Sequence, residues 1–161
     1  MRTLSDLSPE SRLWIYQSDR FLTDAEAASI LNETVSFLQA WTSHDKSMLA
    51  AAEVISNRFL LIGADETQAE ASGCGIDKLV RFVQALGQKW HVDFFKRTQV
   101  IYMLESSLTE TELHTFWGLR KAGVVDDHTL VFDNTIRKVG DLNGRWKVPF
   151  SQSWHAEMWL R

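Results

Sequence analysis

The chain is sparing with several residues, and each scarcity excludes something. One cysteine, Cys74, stands among 161 residues. A single thiol closes no internal disulfide, so a cysteine-stapled scaffold and a cysteine-rich zinc site are out of reach. Two prolines and eight glycines are too few for a linker or a low-complexity segment. No glycine is followed by lysine, so the phosphate-cradling Gly-x-x-x-x-Gly-Lys-Ser/Thr loop is absent, and P-loop nucleotide hydrolysis with it. Val80 stands six positions after Cys74 where a phosphatase loop needs arginine. Neither Gly-x-Ser-x-Gly nor Gly-x-Gly-x-x-Gly occurs. No apolar run approaches the ~20 residues of a membrane span, and the first twelve residues lack the apolar stretch of a signal peptide. The expectation is a soluble cytoplasmic chain with no membrane partner.

Excess positive charge is missing as well. Seventeen Lys and Arg face 21 Asp and Glu, a net charge of −4. A general nucleic-acid binder needs a basic face that displaces counterions, so none is expected here. The pairs Lys96-Arg97, Arg120-Lys121 and Arg137-Lys138 are interspersed with acids and read as solvated surface. Histidines are few, and neither His44-Asp45 nor His155-x-Glu157 has the paired spacing of a metal motif. No metal or cofactor is expected.

What is present is the composition of a folded chain, 45% hydrophobic with seven tryptophans. The length corresponds to one domain over residues 1–161. Arg12 to Gln17 alternates and is rich in β-formers, predicting a first strand. Thr23-Asp-Ala-Glu26 is a capping box, followed by Ala27, Ile30, Leu31, Val35, Leu38 and Trp41 at helical spacing. Met48 to Ser56 and Phe59 to Ala64 read as two strands joined at Asn57-Arg58, where asparagine tolerates positive φ. Ile76, Leu79, Val80, Val83, Leu86 and Trp90 mark a second helix, and Gln99 to Leu104 a fourth strand. Thr109-x-x-Glu112 reads as a second capping box, opening a third helix that ends near Gly123. Thr129 to Phe132 is a short strand, and beyond Asp133 the pattern dissolves into a tail holding Trp146, Trp154 and Trp159. The class is α+β. Its first six elements, β-α-β-β-α-β, suggest a ferredoxin-like sandwich with an added α-β unit and a Trp-rich tail.

In that topology the end of the first helix and the end of the third strand share one edge of the sheet. His44, Asp65, Glu66, Ser72, Gly73, Cys74 and Gly75 would then converge. A thiol at a helix start meets unpaired N–H groups and the positive end of the dipole, both of which favour the thiolate. Cys74 could be a nucleophile with His44 or His155 as its base, making a hydrolase or transferase in which Asp65 assists. Free cysteine often serves instead as a small packed hydrophobe, and that is the expectation for Cys74. Gly73 and Gly75 suggest a third reading, a nest of backbone N–H groups for a phosphate or carboxylate. The leading expectation is a binding domain for a small anionic ligand or a partner protein at this edge, with Trp154 of the tail closing over it. A homo-oligomer that uses the Trp-rich tail as its interface is the other alternative.

The blocks Arg12-Leu-Trp-Ile-Tyr-Gln-Ser-Asp-Arg20, Asn57-Arg-Phe-Leu-Leu-Ile-Gly63 with Asp65-Glu66, Ala71-Ser-Gly-Cys-Gly-Ile-Asp77, Val131-Phe-Asp-Asn134 and Val148-Pro-Phe-Ser-Gln-Ser-Trp-His155 resemble a small bacterial family of unknown function. Its members often carry the automatic label "ABC transporter ATPase". The cysteine block of that family usually reads Ser-Gly-Cys-Ser-Ile-Asp, and Gly75 replaces the second serine here. An ATPase of that class requires a phosphate loop with its lysine and a Mg²⁺-binding hydroxyl and acid, none of which this chain supplies. The resemblance implies membership and no mechanism.

Overall fold

The computed structural model describes residues 2–160 except His44, Asp45 and Gln68, with the backbone alone for Thr42, Ser43 and Lys46. Helices and antiparallel sheets make an α+β protein. The chain divides into two compact units, Met1–Lys96 with Arg137–Gly140, and Arg97–Ile136 with Asp141–Arg161. Among the described residues no helix is long and apolar enough to cross a membrane.

The first unit runs β1 (Arg12–Gln17), α1 (Asp24–Ala40), two-residue strands β2 (Thr42–Ser43) and β3 (Lys46–Ser47), β4 (Leu49–Ile55), β5 (Phe59–Asp65) and α2 (Gly73–Trp90). β5 lies between β1 and β4 and is antiparallel to both. Its position at the centre explains why Phe59 to Ala64 is buried on both faces. Ser56 and Asn57, at φ 56 and 51, turn β4 into β5. Asn57 then donates to Asp24 Oδ1 at 2.7 Å, tying the hairpin tip to the start of α1.

α1 begins where its capping box places it. Glu26 N–H donates to Thr23 Oγ1 at 3.1 Å, and Thr23 N–H donates to Glu26 Oε1 at 2.9 Å. Arg20 binds both oxygens of Glu26, at 2.9 and 2.6 Å, and caps the far end of α2 through Trp90 O at 2.9 Å. That pairing, with the Thr23 N–H, pulls the Glu26 carboxyl down to about 2. Both helices cover one face of the sheet. Ile30, Leu38, Leu79, Val83 and Leu86 meet Leu60, Ile62 and Ala64 there. Each large aliphatic chain so buried contributes about 1.5–3 kcal/mol. On the other face Gly63 leaves room for Leu4, Leu7 and Val139, which a Cβ would meet at 2.8 to 3.0 Å.

Gln99–Leu104 is not the fourth strand of this sheet. The place beside β1 is taken by residues 137–139, with Leu13 N–H donating to Arg137 O and Val139 N–H to Ser11 O, both at 2.9 Å. Gln99–Leu104 is β6 of the second unit, and it pairs with β7 (Ser107–Glu112). A hairpin partner across a two-residue turn closes a far shorter loop than a return to β1 would. Glu105 and Ser106 make that turn at φ 50 and 70, without the asparagine or glycine that usually signals it. The Thr109–Glu112 segment is therefore strand rather than a helix cap, and α3 spans Leu113–Lys121. Gly123 ends the helix region at φ 80, as its sequence position suggests.

β8 (Leu130–Phe132) and β9 (Lys147–Pro149) complete the antiparallel order β7-β6-β8-β9, and α4 spans Trp154–Trp159. The chain beyond Asp133 thus holds a strand of the sheet and a helix whose residues enter the core, not an appended tail. Phe116, fully buried, sits among Tyr102, Phe150 and His155 with ring centroids at 5.5 to 6.0 Å. Trp146 packs edge-on against Phe132 at 5.0 Å and donates to Asn134 Oδ1 at 2.8 Å.

Candidate functional site

The edge around Cys74 is built by the β5–α2 loop. Ser72 is the N-cap of α2, and its hydroxyl accepts the Gly75 N–H at 3.1 Å. Cys74 is therefore the second residue of the helix, and Asp77 lies beyond the position of a capping-box acid. The thiol is exposed, which removes the reading as a packed hydrophobe. Gly73 beside it is exposed, with open space where a Cβ would stand.

The neighbouring groups are already engaged. Asp65 Oδ1 accepts the Thr67 N–H at 2.9 Å, and that bond lowers the carboxyl's pKa. Glu66 Oε2 accepts the Ala71 N–H at 2.7 Å. The Gly75 carbonyl accepts Trp41 Nε1–H at 2.9 Å in a buried contact, which brings the end of α1 to the first turn of α2. The Gly75 N–H is thus taken up by the Ser72 cap. The first-turn N–H groups of Gly73 and Cys74 are those for which a helix supplies no acceptor of its own. His44 lies outside the described residues. Among the described residues no group of three or more His, Cys, Asp or Glu could hold a metal ion.

His155, the other candidate base, belongs to the second unit and is 2% exposed. Its ring stacks on Trp154 at 4.0 Å and tilts against Phe116 at 5.6 Å. Burial lowers its pKa to about 4 against the opposing pull of Asp133, so the ring is neutral near pH 7. Ser153, His155 and Asp133 form a buried trio, yet their hydrogen bonds run the wrong way for nucleophilic catalysis. The single Ser153 proton goes to Phe150 O at 2.7 Å. The Ser153 oxygen must then accept from His155 Nδ1–H at 3.2 Å. Asp133 accepts from the Trp154 N–H at 3.0 Å, and from the Thr135 N–H at 3.0 Å and its hydroxyl, holding the chain rather than the imidazole. These polar groups fasten α4 to the sheet. Trp154, expected to close over the Cys74 edge, is half-buried on His155 within the second unit.

The outer side of α4 differs from its inner side. Met158 is 48%, Trp159 37% and Leu160 84% exposed. Trp159 leans on the half-buried Trp117 of α3 with centroids 5.6 Å apart. Sequence reasoning reached Trp159 through the cluster of tryptophans but missed Trp117, because nothing local links residues 42 positions apart. The run Met158-Trp159-Leu160 was the signal available. Comparison with known protein families, with characterised proteins and with solved structures finds no match to this chain.

Proposed function

We propose that this chain is an association protein that pairs with itself through the apolar surface of Trp117, Met158, Trp159 and Leu160. The observation that carries this reading is the exposure of three consecutive large apolar side chains at residues 158–160, beside a half-buried tryptophan. Contiguous exposed apolar surface is costly to keep in water and marks interaction sites, and aromatic residues and methionine are enriched in interface cores. The inner side of α4 supports it too, because His155, Ala156 and the Asp133 bonds hold the helix in place and present the outer side as a rigid surface.

The Cys74 edge offers less to a partner. The carboxylates of Asp65 and Glu66 and the Gly75 N–H are committed to the loop and the helix cap. The test uses substitution, because removing residues after Val148 would take Phe150 and His155 out of the core. Light scattering during gel filtration should give the wild type a mass above that of one chain, rising with concentration. The Met158→Glu/Leu160→Glu variant should elute as a single chain with an unchanged far-ultraviolet spectrum. A wild type that stays a single chain at the highest concentration reached would overturn the reading.

A further inference from the structure

We infer that self-association is two-fold symmetric and is held in register by Lys121 of each copy facing Glu157 of the other. This rests on the association reading above and adds the geometry of the pair. Lys121 follows Trp117 by four residues on α3, so it stands one turn further along the same face of that helix. Glu157 precedes Leu160 by three residues, and Leu160 keeps helical backbone angles at the end of α4, so these two are also neighbours. The apolar surface thus has a cation on its α3 side and an anion on its α4 side. Both side chains are exposed, and neither engages an ion pair among the described residues. The adjacent Arg120 differs, being committed to Asp127 at 2.7 Å and to the face of Phe150 at 4.8 Å.

A surface with opposite charges on its two sides is complementary to itself under a two-fold rotation. Apolar residues then meet apolar residues, and each rim charge meets its opposite, twice per dimer. A partner of uniform charge would be repelled by one rim or the other. That asymmetry favours a second copy as the occupant.

Sedimentation velocity at low salt tests the arrangement. Lys121→Glu and Glu157→Lys each convert two attractions into two repulsions, and each should weaken the dimer roughly tenfold. An equimolar mixture of the two variants restores both pairs across a heterodimer, so association should return to the wild-type level. The double variant Lys121→Glu/Glu157→Lys should also associate as the wild type does. If single reversals leave association unchanged while Met158→Glu/Leu160→Glu abolishes it, the apolar surface stands and the two-fold pairing is overturned. If the reversals weaken association but the mixture does not recover it, the charges do not face each other and the inference likewise fails. If the wild type does not associate at all, both readings fall together.

Discussion

Replacing His155 with asparagine should remove a pH dependence of stability that the wild type shows between neutral pH and pH 5. Burial against Phe116 and Trp154 lowers the imidazole from 6.5 to about 4 in the folded chain, while the unfolded chain keeps the ordinary value. Between those limits the unfolded state binds a proton that the folded state refuses. The stability is therefore complete above about pH 6.5 and falls as pH drops toward 4. One pKa unit corresponds to about 1.4 kcal/mol, so the whole interval is worth roughly 3 kcal/mol. The lowered carboxyls of Asp6, Glu26, Glu33, Asp65 and Asp126 lose their stabilisation only in more acidic solution, which leaves pH 7 to 5 to the imidazole. Urea unfolding followed by tryptophan fluorescence at several pH values measures it, with Trp154 stacked on the ring as a nearby reporter. His155→Asn should lower the plateau through its cavity and lost packing and flatten the slope. A slope that persists unchanged in the variant would refute the assignment, as would a wild type whose stability is flat from pH 7 to 5.

Gly87→Ala should destabilise the first unit although alanine is favoured over glycine in a helix interior by about 1 kcal/mol. The new Cβ would stand 2.4 Å from the Val92 carbonyl oxygen, a backbone atom of the turn that ends α2, and overpacking of this kind costs about 1–3 kcal/mol. A higher urea midpoint in the variant would contradict the clash. Cys74 should react with iodoacetamide nearly as fast in the native protein as in denaturant, because its thiol is exposed. Cys74→Ser should change stability by less than about 0.5 kcal/mol. Protection of the thiol until unfolding would refute the exposed placement.

The sequence alone determined the elements whose signals lie within one or two turns of the chain. The Thr23–Glu26 capping box placed the start of α1, the stripe from Ile76 to Trp90 placed α2, and Asn57 placed the β4–β5 turn. Each rests on contacts between residues a few positions apart, or on a backbone angle that one residue type favours. Tertiary structure decided the rest. Thr109-x-x-Glu112 has the pattern of a cap, yet pairing with Gln99–Leu104 supplies six residues with a cross-strand partner and makes it β7. Whether residues 137–139 or β6 lies beside β1 was decided across more than eighty positions of chain, which no local pattern records. The same holds at the candidate sites. Whether Cys74 faces water and His155 the core depends on which rings and strands arrive from elsewhere. For His155, desolvation by those neighbours, rather than the residue type, keeps the ring neutral near pH 7.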